Sequence, residues 1–441
     1  MRGKKSSAGL AAVLAIFGVS LLLGSRCAGS DPEYVIHSFH PQGERGDANG
    51  SEPYANLIFD ASGTLYGTTL EGGAYGLGTV FELSPRVSGG WIETVLYSFA
   101  GSSSGGADGA YPRGSLIFDA AGNLFGVTAG GGTGKPGGLG TVYELSPAGG
   151  GAWRETVLHS FTGFPADGDT PLSGLVFDAD GNLYGTTSHG GLYEYVKGSS
   201  GGTAFELSPA AQGVWNETII HNFGSGADGG YPQAGLTLDA SGNLYGTTVS
   251  GGSASCAPDG CGTVFELSPA GGGVWAEAVL HSFTNSGEAP FNPFGGVIFD
   301  ATGNLYGTTA SGGYGSGTVF ELFPTAGGSW KLKVLHAFGH GTDGIAPEDS
   351  LLFDAAGDLY GTTPCGGAYG GCQSFSGTVF ELSPEVGGAW SEKVLHSFGH
   401  GSDGSWPYAV LIFDAVGNLY GTTSAGGAYG GYGGTVFEIK P

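Results

Sequence analysis

The feature that most constrains this chain is a five-residue stretch written seven times. Leu65-Tyr66-Gly67-Thr68-Thr69 recurs from Leu124 (as Leu-Phe-Gly-Val-Thr), Leu183, Leu244, Leu305, Leu359 and Leu419, at intervals of 59, 59, 61, 61, 54 and 60 residues. A period of that length means an array of one supersecondary unit. It overrides the two or three domains that 441 residues would otherwise suggest, because no linker interrupts it.

One unit runs from Pro53 to Phe99. The apolar run Leu57-Ile58-Phe59-Asp60 leads through Ala61-Ser62-Gly63-Thr64, a turn with hairpin chemistry, into Leu65–Thr69. A glycine-rich loop follows, then Thr79–Leu83, closed by Ser84-Pro85 because proline cannot donate to a ladder. Trp91 introduces the last strand, Thr94–Phe99, and a longer loop with Asp108-Gly109 runs to Pro112 and the next unit. Glycine, 92 residues without a Gly-X-Y period, supplies the turns of such a β array. Four short antiparallel strands per unit, apolar on both faces, predict the blade of a β-propeller.

The ends predict how the ring closes. The chain proper opens with a fourth strand lacking its first three, 34–39, and finishes at Phe437-Glu438-Ile439, a third strand lacking its fourth. The prediction is an all-β fold, a seven-bladed β-propeller of four-stranded antiparallel blades, with the N-terminal strand completing the last blade. Closure leaves no free sheet edge, so a monomer is expected. The longest connection marks the crossover between blades, which puts the Leu57–Asp60 strands around the central channel. It also puts the crossover loops and the glycine-rich loops on one face, the top.

Residues 1–30 read as a signal peptide: basic Arg2, Lys4 and Lys5, an apolar core Leu10–Leu23, and small residues at Ala28-Gly29-Ser30. That core is too short to span a bilayer core of about 30 Å. A lipid anchor on Cys27 is the alternative, and the chain finishes at Pro441 without a hydrophobic tail. Residues 31–441 then form the propeller, secreted, at the cell surface or in the periplasm, without a membrane-spanning segment. Cleavage leaves 10 basic against 39 acidic residues, a net charge of −29, which makes nucleic acid a poor partner. Cys256/Cys261 and Cys365/Cys372 are close pairs inside single loops, and disulfides are expected in an exported chain. Zinc is the alternative, without the usual two-residue spacing.

The run Asn-Leu-Tyr-Gly-Thr-Thr, Gly-Gly, Gly-Thr-Val-Phe-Glu-Leu resembles the tandem repeat of exported bacterial choice-of-anchor GloVer-repeat proteins, over essentially all of 34–441. The resemblance implies export. The Asp-x-x-Gly-Asn hairpin is also similar to that of NHL-type and two-component-regulator propellers, an analogy of fold.

Three acids recur in every unit and make up 21 of the 39: Glu82 and its equivalents in third strands, Asp60 and its equivalents closing first strands, and a crossover-loop ring. That last ring is Asp47, Asp108, Asp167, Asp228, Glu288, Asp343 and Asp403. Fourth strands carry His37, Tyr97, His159, His221, His281, His336 and His396. A Glu and a His in one sheet suggest an acid–base pair, yet an active site needs one constellation rather than seven, so structural hydrogen bonding is the expectation. Tyr97 replaces His just before the unit in which Val127 replaces Thr, so each His is expected to bond the second-strand Thr of the next blade. For the crossover acids, turn and capping roles are expected, with calcium at Asp108, Asp167, Asp228, Asp343 and Asp403 as the functional reading.

Function is sought where the repeat breaks. The residue after the repeated Pro varies: Tyr54, Arg113, Leu172, Gln233, Phe294, Glu348 and Tyr408. These residues, with Asn56 and Asp349, are the candidate ligand site at the channel mouth. Tyr193, Tyr195 and Trp406, with Tyr75, Tyr314, Tyr369, Tyr429 and Tyr432, are the candidate top-face aromatics, suited to stacking on sugars or gripping a protein. No Gly-x-Ser-x-Gly, His-Glu-x-x-His or phosphate-binding loop appears. The expected function is a non-catalytic extracellular scaffold or binding module for a protein or cell-surface glycan, without a resident cofactor. The alternative is a calcium-assisted hydrolase or lactonase at the mouth.

Overall fold

The computed structural model describes residues 33–42, 49–102, 107–133, 137–193, 201–225, 227–252, 256, 260–372 and 374–441. The signal segment 1–30, Cys27, Asp47 and Tyr195 lie outside the described residues. Seven antiparallel sheets follow one another around a ring, and all but the last keep their four blade strands in chain order from the channel outward. Blade 1 consists of Ile58–Phe59, Leu65–Thr69, Thr79–Pro85 and Trp91–Ser98. Blade 7 takes its outer strand from the other end of the chain: Glu33–Ser38 pairs antiparallel with Thr435–Ile439, from Glu33↔Ile439 to Ser38↔Thr435. This is the predicted closure.

Two strand limits differ from expectation. The innermost strand shrinks to Ile58–Phe59, paired only with Tyr66 and Leu65, and Leu57 before it is buried in the seam between blades 7 and 1. The third strand runs through Pro85, which sits opposite Trp91 at the open end of the ladder, where its missing N–H costs no bond. At the top, short ladders such as Gly50–Ser51 with Glu71–Gly72 join each crossover loop to the glycine-rich loop of its blade, so both share one face as predicted.

Alternation along the second strand distributes its side chains between two seams. Leu65 packs with Tyr420 of blade 7, whereas Tyr66 packs with Leu116 and Leu124 of blade 2. Seven such clusters occupy the seven seams, and each second strand in the LYGTT form is fully buried. The strand glycine makes room within its own blade, not for the neighbouring blade: a Cβ on Gly185 would lie 2.6 Å from the Phe205 ring and 2.9 Å from Leu175.

Three polar devices repeat around this apolar frame. Asp178 caps its hairpin, its Oδ1 accepting from the Asp180 and Asn182 amides at 2.9 Å and its Oδ2 from Asn182 Nδ2 at 2.8 Å and the Tyr184 hydroxyl at 3.1 Å. Burial works against the ionised Asp178, but these donors outweigh it and hold the carboxyl below its ordinary range. Buried threonine pairs such as Thr187–Thr203 at 2.8 Å tie second to third strands. The residue before each repeated Pro is left-handed, with φ between 56° and 60° at Glu52, Tyr111, Thr170, Tyr231, Asn292, Ala346 and Trp406. Its amide reaches back to the preceding blade, as from Trp406 to the Ser376 carbonyl at 2.8 Å.

The expected wiring of His to Thr is corrected. Second-strand threonines donate to backbone carbonyls just before the next blade's first strand: Thr186 to Ala234 at 3.0 Å, Thr247 to Gly295 at 2.9 Å, Thr308 to Asp349 at 2.8 Å. The threonine lies near the channel and the histidine in the outermost strand, so the width of the blade separates them.

Two substitutions test this frame. Gly185→Ala is expected to cost about 1–3 kcal/mol by overpacking, with Phe205→Leu in the same chain recovering part of it in thermal unfolding. Ala346→Gly relieves a left-handed Ala and is expected to raise stability by roughly 1 kcal/mol; an unchanged or lower melting temperature would contradict the strain.

Candidate functional site

The seven variable residues that follow the repeated prolines line one cavity of about 530 Å³ at the top of the channel. The crossover geometry brings them there: each left-handed residue and its proline turn the chain inward, and the next side chain projects over the mouth. Asn56 and Asp349 line the same cavity one step lower.

The mouth is chemically lopsided. Tyr54 and Tyr408 stack with centroids 5.2 Å apart and planes at 24°, and the Arg113 guanidinium lies 4.8 Å from the Tyr54 centroid. Burial pushes the Glu348 carboxyl up to about 7, although Arg113 pulls it back. Asp349 is likewise driven up to about 7 by burial, against bonds from the Ser350 and Val410 amides, with Glu348 adding repulsion. The Asn56 side-chain oxygen accepts from the Val410 amide at 2.8 Å, so it braces the wall. Leu172, Gln233 and Phe294 complete the opposite side. Near neutrality the mouth is therefore an aromatic pair with one firm cation and acids poised between charge states.

The rim aromatics divide into anchors and exposed rings. Tyr429 stacks on His40 at 3.5 Å, Tyr369 on His400 at 5.2 Å, and Tyr314 meets His340 edge-on at 4.1 Å, so these rings hold loops together while staying half or more exposed. Trp406 is sandwiched near Phe375 (4.6 Å) and Tyr432 (5.9 Å). Tyr193, half-buried, backs onto Gly224. Both disulfides form, Cys256–Cys261 and Cys365–Cys372, with Cα atoms 5.2 and 4.6 Å apart.

The crossover acids cap loops, as expected. Asp108 accepts from the Ala100 amide at 2.7 Å, Asp167 from the Thr162 and Gly168 amides, Asp228 from Ser225, Asp343 from Gly339 and Gly344, and Asp403 from Gly399 and His400. Their other face carries what sequence reasoning missed. The fourth strand holds a further recurring acid, Glu33, Glu93, Glu155, Glu217, Glu277 and Glu392, with Leu332 in the remaining blade. The signal was there as Trp-x-Glu, two residues after the repeated tryptophan in five units.

A β-bulge gives that glutamate its role. In blade 3, Phe205 pairs with Ile219 and Ala204 with His221, so Ile220 is the extra residue. Without it Glu217, Ile219 and His221 would share a face. With it Ile219 packs against blade 2 and Ile220 against blade 4. Each fourth strand thus offers its Glu to one seam and its His to the other. Between blades 2 and 3, His159 Nε2 lies 3.2 Å from Asp167 Oδ2 and 4.0 Å from Glu217 Oε1. His336–Asp343, at 3.2 Å, repeats the pair between blades 5 and 6 beside Glu392. His221–Asp228 at 3.5 Å and His396–Asp403 at 3.3 Å are the same device. Burial, then Asp167, raises Glu217 to about 8; Glu277 and Glu392 rise to about 7, chiefly by burial.

Fold and site define a propeller with a variable, one-residue-per-blade mouth. The chain belongs to the Gloeobacter/Verrucomicrobia repeat family, matched over residues 29–258 and 253–441. No curated protein matches it. Similar solved structures include a putative 6-phosphogluconolactonase from Bacteroides uniformis, 15% identical, TM-score 0.48, over 80% of this chain and 90% of that one. A putative glucose dehydrogenase from Thermus thermophilus is 16% identical, TM-score 0.41, over 92% and 99%. PorZ, a surface component of the type-IX secretion system of Porphyromonas gingivalis, is 15% identical, TM-score 0.46; 91% of this chain spans 47% of PorZ. At such identities the likeness is one of fold alone. Among the described residues no helix is long and apolar enough to cross a membrane.

The seam acids set a pH response. Glu155 titrates ordinarily near 4.5 and is raised to about 7 by burial and then by Asp108. Its contribution to stability is therefore full below about 4.5 and is lost as pH rises through about 7. Thermal unfolding in chelator is expected to show a falling melting temperature from pH 5 to pH 8, with a shallower fall in Glu155→Gln. An identical slope in the variant would contradict the assignment.

Proposed function

We propose that this chain is an exported, non-catalytic binding module whose channel mouth takes a short cell-surface glycan. The observation that carries the reading is that the seven positions where the repeat varies line one cavity. An array that keeps its frame and varies at one concave point suits recognition. The stacked Tyr54/Tyr408 pair offers an apolar face, while Arg113 and Glu348 offer directional hydrogen bonds, the combination that a polyhydroxylated ring with one apolar face matches. Export is supported by residues 1–30 and by the two disulfides.

The hydrolase reading has less support. The carboxylates at the mouth, Glu348 and Asp349, are neighbours on one blade, and the Asn56 oxygen is engaged. Among the described residues, the groups that bring three metal-ligating side chains within 4.8 Å lie in the seams. Calcium remains the cofactor to test at the mouth and the crossover loops. A protein partner is the second reading, favoured by the exposed Phe375, Tyr369 and Tyr432 rings on the rim.

A glycan array on residues 31–441 tests the proposal. For the best ligand, Tyr54→Ala and Arg113→Ala are each expected to weaken binding tenfold or more, with Tyr369→Ala near wild type. No glycan bound, or loss confined to the rim variant, would move function to a protein-binding rim. Calcium-dependent affinity or stability would revive the hydrolase.

A further inference from the structure

The seams hold a grouping that neither the mouth nor the hydrophobic clusters require. Between blades 2 and 3, and again between blades 5 and 6, one imidazole nitrogen and two carboxylates from adjacent blades come within 4.8 Å of one another. His159 and Asp167 belong to one blade and Glu217 to the next; His336, Asp343 and Glu392 repeat the division. The Asp167 and Asp343 side chains are each 7% exposed. Glu217 Oε1 and Glu392 Oε1 are cut off from solvent, and their carboxyls have no partner there beyond the neighbouring Asp167 or Asp343 carboxyl. A buried acceptor with so few partners is costly, and the same atom is left so on Glu155 and Glu277; what sets the two seams apart is the imidazole drawn in beside both carboxylates.

We propose that these two seams bind a divalent cation of the zinc type, ligated by His159, Asp167 and Glu217 in one and by His336, Asp343 and Glu392 in the other. Zinc accepts nitrogen and carboxylate oxygen at about 2.0–2.2 Å, which in a tetrahedron separates the ligand atoms by roughly 3.3 Å. His159 Nε2 stands 3.2 Å from Asp167 Oδ2 and 4.0 Å from Glu217 Oε1, so a small closing movement of one flexible glutamate forms the set. The imidazole in each group favours zinc over calcium, which takes oxygen ligands. Three protein ligands leave a fourth position for water. Because the ligands come from two blades, the ion rivets a seam that otherwise rests on apolar packing and loop hydrogen bonds. Two other seams supply contrasts, since Tyr97 replaces His beside Asp108 and Glu155 and Leu332 replaces Glu beside His281, whereas His221, Asp228 and Glu277 repeat the residue types with the His–Asp pair more open at 3.5 Å.

The test uses residues 31–441, stripped with chelator, loaded with zinc chloride at pH 7.5 and desalted. Bound metal is measured by mass spectrometry, affinity by calorimetry and stability by thermal unfolding. Two ions per chain are expected, one per grouping, with a melting temperature raised by several degrees. Glu217→Gln is expected to retain one ion, and Glu217→Gln/Glu392→Gln none, with the zinc-dependent shift abolished. Glutamine keeps the shape and removes only the charge, so the metal-free variants should melt no lower than the metal-free wild type. His340→Ala/His400→Ala, at exposed rim histidines, should retain both ions. No zinc retained by the wild type would show that a shared proton, not a metal, joins the carboxylates. Two ions still bound by the double glutamine variant would place them elsewhere. Either result overturns the proposal.

Discussion

Each blade has two apolar faces, and only a neighbour on each side buries both. Leu65 and Tyr66, adjacent in one strand, belong to different seams, so no blade completes its own core. An open row of such blades would expose an apolar face at each end. Closing the ring removes both, and Glu33–Ser38 closes it by supplying to blade 7 the strand that the C-terminal end lacks.

The polar devices follow from the same packing. Stacked blades leave carboxylates, hydroxyls and backbone groups with little access to water, and each must find a partner nearby. Asp178 and its equivalents find it in their own hairpins, and the threonine pairs find it one strand away. His159, His221, His336 and His396 find it in the crossover loop that leaves their blade, while Glu217 reaches His159, and Glu93 reaches His37, from across the seam. The seam thus has an apolar interior and an acidic outer layer.

The mouth is the part of the array that packing leaves free. Gly185 is fixed by the Phe205 ring above it. By contrast, the side chains at positions 54, 113, 172, 233, 294, 348 and 408 project into a cavity, where size and charge carry no such penalty. Recognition chemistry accumulates where the frame does not dictate the residue.

Much of this was legible in the chain. Seven copies of one strand, the strand at 34–39 without a blade and the break after each repeated proline determined blade count, closure and the mouth, because each depends only on order and spacing. Structural hydrogen bonding by Asp60 and its equivalents was legible, because seven copies cannot make one active site; that they cap their own hairpins appears only in the structure. The threonine–histidine pairing was misread, because substitutions that coincide in sequence, Tyr97 and Val127, occupy opposite ends of a blade. The seam glutamates escaped notice although Trp-x-Glu recurs. Strand alternation alone puts Glu217 and His221 on one face, and a single bulged residue, Ile220, sends them to opposite seams. Sequence fixes what lies along a strand; which blade a side chain meets is decided by pairing register, which exists only once the strands have paired.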